Sequence, residues 1–167
     1  MKIDFISAMD DKILENLKKC GFDAALYINE KNVINAFTSE QLDIKAYSGK
    51  EYDFVIRKGR ANIVYGMESN GFLLNKGLCS KLKENNIFVV FSFSSLLKTD
   101  NIFKVYKNLL INGKLCNDYG VNCIYSSFAK NQSELLSTFQ IEAFASEFGY
   151  NYKNMIKSYE ALWRFMQ

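Results

Sequence analysis

Short, almost uninterrupted apolar runs, each followed by a helical pattern, constrain this chain more than any other feature. Candidate strands are Lys2–Ser7, Asp23–Ile28, Leu42–Tyr47, Ala61–Gly66, Ile87–Ser92 and Asn122–Ser126. The runs LYI, NIVYG, IFVVF and CIY are nearly continuous rather than alternating. Strands covered on both faces read this way, and parallel sheets are covered on both faces. Apolar strands alternating with helices predict βαβ units.

The helices between them follow from periodicity and punctuation. Asp11–Lys19 carries Ile13, Leu14 and Leu17 on one side, with Gly21 beyond its end. Lys50–Lys58 reads as strand or helix by its apolar run alone. Gly59, the basic last turn of Arg57 and Lys58, and the strand that follows at once favour helix. Asn75–Glu84 is a short helix, Ile102–Tyr119 the longest, and Ser133–Phe148 the next. In Asn151–Met166, Tyr152, Met155, Ile156, Tyr159, Leu162, Trp163 and Met166 share one stripe opposite Lys153, Lys157, Glu160 and Arg164. Six βα steps fit either an open doubly wound sheet or an incomplete barrel. A full eight-stranded barrel typically takes about 250 residues, and this chain has 167. The length predicts one domain spanning 1–167.

Composition narrows the chemistry. There is no histidine, which removes the usual proton shuttle, the commonest zinc ligand and every Ser-His-Asp or Cys-His arrangement. Proline is also absent, and lysine far outnumbers arginine. The net charge of +3 permits an RNA partner without requiring one. Cys20, Cys79, Cys116 and Cys123 lack metal-ligand spacing and read as reduced core residues of a cytoplasmic protein. No apolar run is long enough to span a membrane, and Met1-Lys2-Ile3-Asp4 lacks the start of a signal peptide.

In parallel α/β folds, function gathers beyond the carboxyl ends of the strands. Asp10, Asp11, Glu30, Glu51 and Glu68 fall there and form one candidate Mg²⁺ set, against ordinary solvated caps as the alternative. Ser94-Ser95 with Lys98, and Ser126-Ser127 with Lys130, are candidate phosphate contacts, although serine also caps helices. Lys104, Lys107 and Lys114 form a stripe on the longest helix, with Ile111 and Leu115 close beside it. That pairing suits a surface covered by another macromolecule, or a second contact within the fold. Arg57, Lys58 and Arg60 make the densest basic cluster. It serves either bidentate phosphate contact or a helix C-terminus.

The second half of the chain carries a resemblance. NIFVVFSFSSLLK, a long helix running into GKLCNDYGVNCIYSSFAK, then FQIEAFASEFGY and IKSYEALW, is similar to archaeal ribonuclease P protein component 3. That family is the counterpart of the eukaryotic thirty-kilodalton subunit of the same enzyme. The likeness covers about Asp43 to Phe165 and is strongest from Ile87 to Ser127. It implies an α/β fold that is TIM-barrel-like, here a trimmed or partly open barrel of parallel strands. It implies a noncatalytic subunit that supports the catalytic domain of ribonuclease P RNA while the 5′ leader is removed from precursor tRNA. The implied partners are that RNA and protein component 2, with precursor tRNA met indirectly and no membrane. No cofactor is expected on the protein, since the Mg²⁺ belongs to the RNA.

Expected RNA contacts are Arg57, Lys58, Arg60, Lys98, Lys104, Lys107 and Lys130, with Ser92, Ser126 and Ser127 at the family-matching strand ends. Ile111 and Leu115 are the expected partner interface. The chain departs from the family where arginine and proline usually follow Phe-Ser, since Ser94 and Ser95 stand there. It departs again where Asp-x-Arg-x-Pro usually follows Ser-Ser, since the matching positions are Glu134, Leu136 and Thr138. The competing readings are a small carboxylate-dependent metal phosphohydrolase using Asp10 and Glu68, and a pure protein scaffold.

Overall fold

All six expected strands form, and a seventh joins them. The computed structural model describes residues 2–29 and 31–167. Its strands are β1 (Ile3–Ile6), β2 (Ala24–Asn29), β3 (Asn32–Asn35), β4 (Glu40–Tyr47), β5 (Ile63–Tyr65), β6 (Phe88–Ser92) and β7 (Cys123–Ser126). The helices are α1 (Asp11–Lys19), α2 (Tyr52–Lys58), α3 (Lys76–Glu84), α4 (Ser94–Leu97), α5 (Ile102–Tyr119), α6 (Thr138–Glu147) and α7 (Tyr152–Met166). The strands lie in sequence order in one sheet. The result is a mixed α/β fold around a nearly closed, barrel-shaped sheet.

The expectation that every strand is parallel is corrected. β1–β2, β4–β5, β5–β6 and β6–β7 pair in parallel, but β3 pairs antiparallel with both neighbours. The connection from β2 to β4 is therefore a strand where a helix would continue the βα alternation. β3 escapes sequence reading because NVIN holds two apolar residues inside a polar stretch. A second correction concerns Ser133–Phe148. A 3-10 turn at Gln132–Glu134 ends in extended backbone at Leu135, and α6 begins afresh after Ser137. Ser137 and Gln140 form a reciprocal capping box, which specifies that start.

Mixed contacts, without a strand ladder, span the gap between β1 and β7. Ile6 bridges Ala129 in parallel, and the Phe128 N–H donates to the Phe5 carbonyl at 2.9 Å. Below them the Ser126 hydroxyl takes the place of a ladder bond, accepting from the Phe5 N–H at 2.7 Å. Phe128 holds a left-handed backbone with φ of 48°, unusual for a bulky side chain. Its ring stacks on Phe5 at 5.8 Å and on Tyr65 at 5.7 Å, packing that keeps it there. At the opposite end α7 crosses the strand starts. Its Ser158 hydroxyl accepts from the Cys123 N–H at 3.0 Å, and Phe165 meets the Phe88 ring at 6.1 Å. Met155, Tyr159 and Leu162 are its buried stripe, as the periodicity predicts. No described helix is long and apolar enough to cross a membrane.

Candidate functional site

The carboxyl ends of β4, β5 and β6 surround an open cavity of about 570 Å³. Ser48, Asn70, Ser92, Ser94, Ser95 and Glu68 are among its lining residues. Gly66, with φ of 72°, turns the chain at the end of β5; a Cβ there would sit 2.8 Å from the Ser48 hydroxyl. Glu68 follows and is fully buried. Its Oε1 accepts from the Ser92 N–H at 3.2 Å, while its Oε2 has no partner. Burial pushes its carboxyl up to about 7, against the opposing pull of backbone N–H donors. The serines around it bond one another: the Ser92 and Ser94 hydroxyls lie 3.0 Å apart, and the Ser95 hydroxyl donates to the Ser92 carbonyl at 2.6 Å. Ser94 and Ser95 open the short helix α4 rather than an extended loop.

Lys98 lines this cavity, but its ammonium pairs with Glu134 at 2.9 Å. Glu134 also accepts from the Lys130 N–H at 3.0 Å, so both downstream lysines converge on one carboxylate. A phosphate group binding Lys98 competes with that ion pair. The Lys130 side chain is exposed.

Ser126 and Ser127 are enclosed, with no exposure to solvent. Asp4, also fully buried, accepts from the Ser126 hydroxyl at 2.5 Å, from the Ser127 N–H at 2.8 Å and from the Ser127 hydroxyl. Burial pushes the Asp4 carboxyl up to about 6 despite these donors. The serine pair thus joins β1 to β7, a structural task at the barrel seam.

The candidate Mg²⁺ carboxylates do not gather. Asp10 caps α1, accepting from the Lys12 N–H at 2.9 Å and the Ile13 N–H at 3.2 Å. Asp11 lies in the first turn of that helix, and Glu51 precedes α2. Glu30 lies outside the described residues. Among the described residues there is no group of three or more side chains arranged to hold a metal ion.

The basic residues divide between two ends of the barrel. Arg57 and Lys58 form the last turn of α2 and Arg60 follows it, before the start of β5, whereas Lys98, Lys104, Lys107 and Lys130 follow the carboxyl ends of β6 and β7. Arg57 pairs with Asp53 at 2.8 Å, and Lys58 is exposed. The Arg60 guanidinium lies 4.6 Å from the centre of the Phe54 ring. Lys104, Lys107 and Lys114 are exposed on α5 and, among the described residues, take part in no ion pair.

α5 exposes an apolar face that the sequence reading missed. Ile102, Phe103, Tyr106 and Leu110 are exposed, with Phe103 at 85%. Ile111 and Leu115, the expected interface pair, are half-buried, and Leu115 packs against the core. Two buried asparagines on α5 were also missed. Asn108 donates to the Glu68 carbonyl at 2.9 Å, and Asn112 bonds the Leu74 N–H and the Phe72 carbonyl at 2.8 and 2.9 Å. They tie down the chain between β5 and α3, and so position Glu68. Their spacing of one helical turn within an apolar run is the signal that was available. No protein-family model matches this chain, and no curated protein matches it.

Proposed function

We propose that this chain is a noncatalytic protein subunit of ribonuclease P that supports the catalytic domain of the RNA during 5′-leader removal. In this reading the barrel is TIM-barrel-like, shortened, with a hairpin in place of one helical crossover. The protein breaks no bond; the Mg²⁺ ions that do the chemistry sit on the RNA. Lys104 and Lys107, and Lys58 at the other end of the barrel, neutralise phosphate repulsion in the folded RNA. Precursor tRNA is met through that RNA.

The observation that carries the reading is the face of α5, where exposed Ile102, Phe103, Tyr106 and Leu110 border unpaired lysines. Exposed apolar side chains grouped beside positive charge suit burial by another macromolecule. The resemblance supplies the partner: the apolar stripe docks protein component 2, and the lysines meet the RNA beside it. Ser92, Ser126 and Ser127 act from inside, holding the strand ends that present this surface.

Reconstitution tests the reading. Ribonuclease P RNA and component 2 should process precursor tRNA faster at moderate Mg²⁺ when this chain is added, and the gain should shrink as salt rises. Phe103→Ser should abolish the gain without lowering the melting temperature. Processing that is indifferent to the chain overturns the proposal. So does phosphodiester cleavage by the RNA-free protein in Mg²⁺ that Glu68→Gln abolishes.

A further inference from the structure

The coat of helices has a gap where β3 replaces a crossover helix. β4 pairs with β3 on one side and β5 on the other, and its outward residues Asp43 and Lys45 stay exposed. A register shift between Asn32 and Val33 sets Asn32 opposite Lys45, and Ala46 donates its N–H to the Lys31 carbonyl at 2.9 Å. That irregularity brings Lys31 and Lys45 to the same edge. Two hollows result. One, of about 460 Å³, is bordered by Lys31, Lys45, Phe54 and Arg60. The other, of about 680 Å³, is bordered by Lys45, Arg60 and Phe165. Lys45 and Arg60 line both, so the hollows read as one groove with a ring at each end and two cations between.

Both rings are accessible: Phe54 is 42% exposed and Phe165 37%. Among the described residues Lys31, Lys45 and Arg60 form no ion pair. Glu51 borders the first hollow and Asp43 the second. We infer that this groove binds a short stretch of unpaired RNA, with a phosphate between Lys45 and Arg60 and the flanking bases on the two rings. A ring, cation, ring order matches the base, phosphate, base order of adjacent nucleotides. Bases stack on aromatic rings and on guanidinium planes, and Arg60 already lies over Phe54. The two carboxylates accept from base N–H groups, which on uracil means the ring N3–H. An acidic peptide meets those carboxylates with like charge and leaves both rings without a partner. A duplex keeps its bases stacked inside and cannot use the rings.

The inference rests on the RNA-binding reading of the previous subsection but concerns a different face from α5. The test measures binding of the full chain to a labelled oligouridine and to a blunt RNA duplex. Oligouridine should bind more tightly. Phe54→Ala should weaken it about tenfold and leave the duplex unchanged. Lys45→Ala should make the log–log salt dependence shallower by roughly 0.7. Both side chains are exposed, and unchanged melting curves confirm that the variants fold. Equal affinity for duplex, unchanged oligouridine binding by Phe54→Ala, or stronger binding of an oligoglutamate overturns the groove. If processing is stimulated but Phe54→Ala binds oligouridine as the parent does, the groove fails and the ribonuclease P reading stands. If the groove selects unpaired RNA while the chain adds nothing to processing, the ribonuclease P reading fails and the groove stands.

Discussion

β4 and β6 belong to the same sheet, yet they live in different surroundings. Every residue of β6 is buried. β4 alternates, with Leu42, Ile44 and Ala46 inside and Gln41, Asp43 and Lys45 in water. The difference lies in the connections. β6 leads through the short α4 into α5 and receives the chain from α3, so helices cover its outer face. β4 receives the chain from β3, a hairpin partner that adds hydrogen bonds but no layer. A helical crossover seals a strand on both faces; a hairpin leaves one face open. The sealed half carries buried polar anchors such as Glu68 and Asn112, and the open half carries the groove.

That contrast is open to attack at its strongest point first. Ile124→Ala in β7, where the side chain is fully buried, should destabilise the protein by about 4 kcal/mol, read from urea denaturation. A loss under about 1 kcal/mol means the sealed half is not close-packed.

The buried carboxyls come next. The Glu68 carboxyl is pushed up to about 7 in the fold, from an ordinary value of 4.5, so the folded chain keeps its proton longer than the unfolded chain does. Its stabilising effect is complete below the ordinary value and is lost as pH rises through the raised one. The loss amounts to about 3 kcal/mol. Asp4, pushed up to about 6, acts in the same direction over a lower window. Unfolding free energy should therefore fall from pH 4.5 to pH 7.5, and Glu68→Gln should flatten the upper part of that slope. A stability profile that rises over this range contradicts the buried, partnerless Oε2.

A smaller effect probes how α5 seals β7. A Cβ at Gly113 would stand 2.5 Å from the Phe148 carbonyl oxygen and 2.3 Å from the Tyr125 hydroxyl. Gly113→Ala should cost about 2 kcal/mol because backbone has to move. An unchanged thermal midpoint would show that α5 packs more loosely than its contacts indicate. The smallest effect belongs to the open half: Gln41→Ala, exposed on β4, should change stability by less than about 0.5 kcal/mol. A larger loss would mean that something covers that face.

Legibility in the sequence followed the same division. IFVVF and CIY identify β6 and β7 because burial on both faces leaves unbroken apolar runs. The α7 stripe was readable because Met155, Tyr159 and Leu162 recur at helical spacing. β3 was not, since four residues flanked by asparagines carry too little periodicity to separate strand from loop. The exposed apolar face of α5 shows the limit of wheel geometry. Ile111 and Leu115 lie beside the lysines on the wheel, but which apolar residues stay exposed depends on where α3, α6 and the loop after β5 press on that helix. Asp4 inside IDFI passed as an ordinary strand residue, because its partners Ser126 and Ser127 lie more than a hundred residues away.

The sequence by itself determined the local alternation of strand and helix, the helix ends marked by Gly59 and Gly120, and the absence of histidine chemistry. These depend on neighbours within a few residues, and the chain carries them wherever it folds. Tertiary structure decided that β3 runs backward, that Ser126 and Ser127 turn inward, and that the basic residues separate to opposite ends of the barrel. Those outcomes follow from which distant segments pair, and pairing is settled by burial and hydrogen-bond satisfaction summed over the whole sheet.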